Sequence, residues 1–230
     1  MAETGIPLPE AYQGLQPQEV WRHFAALNAI PRPSCQEERA RQYVLSIASA
    51  AGATWSQDGY GNLVIRVPAS SPATTSAPVA LQAHLDMVCD QLPGVEHNWE
   101  TDPVRPRRVG DDIYATGTTL GADNGIGASM ALAVLTTPGL RHGPLELIFT
   151  MEEEIGLKGA LALDATLVES RTVVNLDTES PDELIIGSAG ARSLEVSIPL
   201  HVVEVEPGSE AFAVSVSGLL GGHSGVQIHE

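Results

Sequence analysis

The chain has 230 residues, 43% of them apolar and 18% charged, with a net charge of −17. That apolar share belongs to a packed globular protein, not a disordered acidic tail, and the length allows one large domain, or one domain and part of another. An excess of 29 acidic over 12 basic residues excludes a general binder of nucleic acid or anionic membrane, because those surfaces reward a basic face.

Residues 1–18 hold Glu3, Glu10 and several prolines but no basic start with an apolar run, so no signal peptide is expected. No apolar stretch reaches membrane-spanning length. Cys35 and Cys89 are the only cysteines, without CxxC spacing, which fits a reducing, cytoplasmic setting. After Pro17, the residues Val20, Trp21, Phe24, Ala25 and Leu27 recur at helical spacing, and Pro31 with Pro33 ends the pattern. Ser34 and Glu37 then form a capping box for a second helix, whose apolar face is Ala40, Tyr43, Val44, Ile47 and Ala51 and which Gly52 closes.

Turn residues 58–62 (DGYGN) separate 54–57 from the β-branched run 63–67, a hairpin-like pair of strands. The proline-punctuated stretch 68–78 is an exposed loop, and strands are expected at 79–83, 113–115, 145–149 and 172–176. Ala-rich helices at 126–135 and 157–163 lie between them, so the pattern is α/β with a mostly parallel sheet. After Gly187 alternating strands at 192–200 and 211–217 follow without a helix between them, which predicts an α+β unit over 188–230 after a first domain over 1–187.

In open α/β sheets, ligands bind beyond the carboxyl ends of the strands. Four such places carry polar residues: His84 and Asp86 after 79–83, Asp123 in a glycine-rich turn, Glu152 to Glu154 after 145–149, and Asp177 after 172–176. Carboxylates that converge raise one another's pKa unless a cation offsets them, and a divalent metal pair does so. One imidazole among carboxylates suits zinc, with manganese or cobalt also possible. In His84-x-Asp86 the side chains share a strand face, so Asp86 can hydrogen-bond the distal nitrogen of a metal-bound His84. Adjacent strand residues point apart, so of Glu153 and Glu154 one can bind metal while the other takes a proton from water as general base. Asp123 suits a carboxylate bridging two metals, and the resulting chemistry is metal-activated hydroxide attacking a carbonyl.

Each element alone has an ordinary reading: a satisfied His–Asp pair, a solvated acidic triplet at a helix start, or turns at Asp123 and Asp177. Gly121, Gly125 and Gly127 lack GxGxxG spacing and no P-loop Lys follows. In order and together, the four fit one site better than four accidents.

The segments 81–88 (LQAHLDMV), 117–127 (GTTLGADNGIG), 142–146 (HGPLE), Glu153-Glu154 before Gly156, and 221–225 (GGHSG) resemble the aminoacyl-histidine dipeptidases, also called Xaa-His or cytosol non-specific dipeptidases, of the co-catalytic zinc peptidase superfamily. The resemblance runs from the first helix to the last residue. It implies a three-layer α/β/α catalytic domain followed by the start of an α+β lid. It further implies two Zn2+ per site, with His84 and Asp177 each holding zinc, Glu154 opposite, Asp123 bridging, Asp86 behind His84 and Glu153 as general base. His223 would sit in the lid and, in related dimers, reach a partner's active site to bind substrate, although as a residue in a Gly-rich turn it also has a purely structural reading.

Members of that family continue further and supply a last metal ligand from a later histidine. The chain is therefore expected to be an amino-terminal portion, with His229 not standing in for that ligand. The implied activity is hydrolysis of unblocked dipeptides, notably Xaa-His, by a homodimer when full length, with a small dipeptide as substrate and no nucleic acid or membrane partner. An inactive truncated metal-binding homologue and an amidohydrolase or deacylase on the same scaffold are the alternatives.

Overall fold

Pro17 stands at the N-terminus of α1 (Gln18–Asn28), in extended backbone that turns into the helix. The computed structural model describes residues 8–71, 76–178, 182–188, 190, 194–201 and 203–219. They fall into two units, divided between Glu183 and Leu184. In the first unit, Phe24 and Ala25 of α1 pack against Tyr12, Trp21, Leu120 and Ile126, and the chain leaves the helix through Pro31 and Pro33.

Helix α2 (Glu38–Ala50) buries Ala40, Val44, Leu45, Ile47 and Ala48, four of them at the i, i+4, i+7 and i+8 positions of one face. Its N-terminus differs from the expected capping box. Glu37 is the N-cap and makes no side-chain cap bond, while the Ser34 hydroxyl donates to Asp86 Oδ2 at 2.7 Å. A tertiary acceptor 52 residues away has taken the hydroxyl that local rules give to the helix.

Strands β1 (Thr54–Gln57) and β2 (Leu63–Val67) form the expected antiparallel hairpin. Its turn is held by Asp58, whose Oδ1 accepts the N–H groups of Tyr60, Gly61 and Asn62 at 2.9 Å each. Strand β3 (Val79–His84) follows the loop. Strands β4 (Pro106–Val109) and β5 (Asp112–Ala115) make a separate two-stranded antiparallel ribbon, so the run at 113–115 does not join the main sheet. Helix α3 (Ala122–Thr136), strand β6 (Leu145–Thr150), helix α4 (Lys158–Ala162) and strand β7 (Thr172–Asn175) complete the unit.

The main sheet has the order β1-β2-β6-β3-β7. β3 is parallel to both β6 and β7, and β2 alone runs against the rest. One face carries Leu63, Ile65, Ala83, Leu147 and Phe149 against α2 and Ala128, Ala131 and Leu132 of α3. On the other, Val64, Ala80 and Ile148 are covered by Leu163, Leu167 and Val168. Layers on both faces leave the strand ends as the open edge, and the carboxyl ends of β3, β6 and β7 lie together there because these strands are parallel.

His23 ties the helical layer together. Its Nδ1 lies 2.7 Å from the Tyr43 hydroxyl on α2 and its Nε2 2.9 Å from Thr136 Oγ1 on α3. Burial, helped by the charge of Arg22, holds the imidazole down from 6.5 to about 4. The folded protein therefore keeps His23 neutral where the unfolded chain takes up a proton. Its contribution is complete above the unfolded value and is lost as pH falls toward 4. Parent and His23→Gln proteins should thus differ in pH dependence, the parent losing about 2 kcal/mol more than the variant between about pH 7 and about pH 5 in urea titrations.

In the second unit the described residues form no helix and no paired strand. The alternation at 194–200 and 211–217 leaves Leu194, Val196, Ile198, Leu200, Phe212, Val214 and Val216 exposed. The alternating pattern predicts strands there. A strand exists only where a neighbour completes its hydrogen-bond ladder, and none of these described residues has one; residues 192 and 193 lie outside the described set. Among the described residues no helix is long and apolar enough to cross a membrane.

Candidate metal centre

His84 is the last residue of β3 and is fully buried. Two residues on, Asp86 is equally buried, and its Oδ1 lies 3.2 Å from His84 Nδ1, whose other neighbour is the Asp86 carbonyl at 3.1 Å. This leaves Nε2 as the nitrogen that faces the open edge. Asp123 Oδ1 stands 3.0 Å from it, Asp177 Oδ2 3.6 Å and Glu153 Oε2 3.9 Å. Ligand atoms of His84, Asp123 and Glu154 lie within 4.8 Å of one another.

The carboxylates that face Nε2 arrive from three elements. Asp123 comes from the first turn of α3, where it and Asn124 depart from helical φ/ψ. Glu153 and Glu154 follow β6. Strand alternation would turn them to opposite sides, but β6 ends at Thr150 and Glu152 takes φ +52°, and both carboxylates come to the His84 side. The turn is fixed by Asp86, which accepts the N–H groups of Glu153 at 3.0 Å and Glu154 at 3.1 Å, and by Glu37, which accepts that of Glu152 at 2.9 Å. Asp177 follows β7 and is bonded by Asn124 Nδ2, which also donates to the Leu176 carbonyl at 2.9 Å.

The electrostatics follow from that crowding. Burial opposes charge on His84, yet hydrogen bonds to Asp123 and Asp86 and the charge of Asp177 push it up to about 10. Burial likewise opposes charge on Asp86, but His84, Ser34 and the Glu153 N–H hold it at about 2. Glu154 is pushed up to about 7 by burial and then by the charge of Asp123. Burial and neighbouring carboxylates also raise Glu153 and Asp177, despite the offsetting charge of His84. One imidazolium does not neutralise five carboxylates. An oxygen-rich cluster with one nitrogen, short of positive charge and open at a sheet edge, is the donor set a divalent cation satisfies.

The structure thus gathers His84, Asp86, Asp123, Glu153, Glu154 and Asp177. His223 lies outside the described residues. Arg32, Ser34, Glu37 and Asn124 were not foreseen here; each acts on the site through hydrogen bonds to a loop that carries a site residue, and no spacing rule marks such contacts.

Residues 80–221 match the model of peptidase family M20/M25/M40, and the chain belongs to that family. It is 41% identical, over 94% of its length, to the cytosol non-specific dipeptidase of Escherichia coli K12, of which it covers 44%. The crystal structure of aminoacylhistidine dipeptidase from Vibrio alginolyticus superposes with a TM-score of 0.71 at 38% identity, over 74% of this chain and 35% of that one. A tripeptidase from Staphylococcus aureus, at 23% identity and a TM-score of 0.59 over 71% of this chain and 44% of that one, shares the fold. The chain spans less than half the length of these relatives.

Proposed function

We propose that the protein is a cytoplasmic dinuclear zinc dipeptidase that hydrolyses unblocked dipeptides, Xaa-His among them. The observation that carries this reading is the meeting of His84 Nε2 with carboxylates from three separate elements at the carboxyl edge of the parallel strands, in a chain 41% identical to a dipeptidase. His84, Asp123, Glu154 and Asp177 would hold the ions. When bound, a zinc pair lowers the pKa of water and polarises the peptide carbonyl.

The protein's own residues do the rest. Asp86 fixes the imidazole through Nδ1 and leaves Nε2 free to bind. Glu153, half-buried and raised by burial, accepts the proton of the attacking water at its carboxylate and passes it to the leaving amine. We further assign residues 1–187 to the catalytic domain and 188–230 to a lid, from which His223 reaches the substrate across a homodimer.

The test is turnover of an Xaa-His dipeptide, an N-blocked dipeptide and an N-acyl amino acid by zinc-loaded protein. Cleavage of the first alone is expected; cleavage confined to the N-acyl amino acid would make the protein a deacylase. Chelation should abolish turnover and lower the unfolding midpoint, and zinc should restore both. Free zinc at about a hundred times its Kd stabilises by about 2.7 kcal/mol, so an unfolding midpoint that ignores zinc counts against the metal centre independently of activity.

A further inference from the structure

The stretch between α1 and α2 is hydrogen-bonded to the loops of the site. Arg32 is fully buried. Its Nη1 donates to the carbonyls of Leu85 at 3.0 Å and Asp86 at 2.9 Å, and its Nη2 to the carbonyl of Gly121 at 2.5 Å. One guanidinium thereby joins the loop after β3, which carries Asp86, to the turn that carries Asp123. The backbone adds a bond from Met87 N–H to the Arg32 carbonyl at 3.2 Å, and Ser34 reaches the Asp86 carboxylate.

The glycine-rich turn is shaped around this side chain. A Cβ at Gly121 or at Gly125 would stand 2.6 Å from Arg32 Nη2, so glycine at both positions leaves the space the guanidinium fills. Gly121 also has φ +69°, a conformation that glycine adopts at no steric cost. Burial pulls Arg32 down to about 10, against the opposing charges of Cys89, Asp86, Asp123 and Glu154, and it stays cationic at neutral pH beside an acidic cluster.

We propose that Arg32, with Ser34, is a positioning residue of the metal centre: its fork sets the separation between the His84–Asp86 loop and the Asp123 turn, and so the affinity and geometry with which the site holds its ions. The proposal rests on the metal-centre reading above. Lysine keeps the charge but not the planar fork that reaches three carbonyls at once, which makes Arg32→Lys the informative change. Arg66→Lys is the control. Arg66 donates to the Leu167 carbonyl at 2.6 Å and to Ser56 Oγ at 3.0 Å and pairs with Glu146 and Glu169, all away from the site.

Cobalt(II) titrated into metal-free parent, R32K, S34A and R66K, followed by visible absorption and set beside urea midpoints, tests this. R32K is expected to bind cobalt about 10- to 100-fold more weakly, with an altered spectrum; S34A is expected to weaken binding in the same direction, and R66K to match the parent. Parent-like affinity and spectrum in folded R32K, or in S34A should R32K not fold, overturns the assignment. Failure of the parent itself to bind cobalt overturns the metal centre, and the assignment with it.

Discussion

Glu153→Gln is expected to lower dipeptide turnover by roughly 10²–10⁴-fold, the span that general acid–base catalysis contributes, while cobalt affinity stays near that of the parent. Gln keeps the size and half-buried position of Glu153 and removes only its capacity to take up a proton. The neighbouring substitution separates the roles. Glu154 belongs to the group whose ligand atoms lie within 4.8 Å, so Glu154→Gln is expected to weaken metal binding first and turnover as a consequence. The comparison is read from initial rates at saturating zinc alongside cobalt titrations of the same preparations. Normal turnover in Glu153→Gln would show that Glu153 is not the base; a matched loss of cobalt affinity would make it a ligand.

The parts of the site that lie on strand ends were legible in the sequence, because an apolar run followed at once by a polar residue is a local signal with a three-dimensional meaning. His84 ends one parallel strand, and Glu153 and Asp177 follow two others, so the points where 79–83, 145–149 and 172–176 stop bring them to one edge. The stapling of those ends was not legible. Ser34 and Glu37 have the spacing of a helix cap, and both turn their side chains to the loops of the site instead, one to Asp86 and one to Glu152. Local and tertiary partners compete for the same side chain, and sequence shows only the local one. Arg32 was hidden for the opposite reason. Arginine is seldom fully buried, and nothing near Pro31 and Pro33 says that three carbonyls from 85, 86 and 121 will surround it.

The ribbon shows a further gap. β4 carries Arg107 and Arg108 and has no apolar alternation, yet it pairs with β5 from Pro106 opposite Ala115 to Val109 opposite Asp112, with Arg107 over the Tyr114 ring at 5.0 Å. Partner and cation–π contact make that strand, and neither is a property of its own residues. In the second unit the reverse holds: alternation is plain in the sequence, but no ladder forms among the described residues.

Gly159→Ala is expected to destabilise the first unit by about 3 kcal/mol, at the upper end of what overpacking a closed site costs. Gly159 sits at the start of α4, where its N–H donates to the Met151 carbonyl at 3.0 Å and its carbonyl accepts from Asn62 Nδ2 at 2.9 Å. Asn62 Oδ1 accepts the Met151 N–H at 3.1 Å, closing the circuit. A Cβ at 159 would overlap the Met151 carbonyl oxygen and stand 2.6 Å from Met151 N and 2.7 Å from Asn62 Oδ1. These are backbone atoms and a bonded amide, so no rotamer change relieves the clash; Met151 has to move. The strand end that moves leads directly to Glu152, Glu153 and Glu154, and cobalt binding should weaken together with stability. Gly59→Ala is the comparison, since a Cβ there meets nothing within 4 Å, and its urea midpoint should correspond to a change within about 0.5 kcal/mol. Equal midpoints for the two variants would mean that the Met151 backbone yields freely, and that the turn carrying Glu153 and Glu154 is not held from behind by α4.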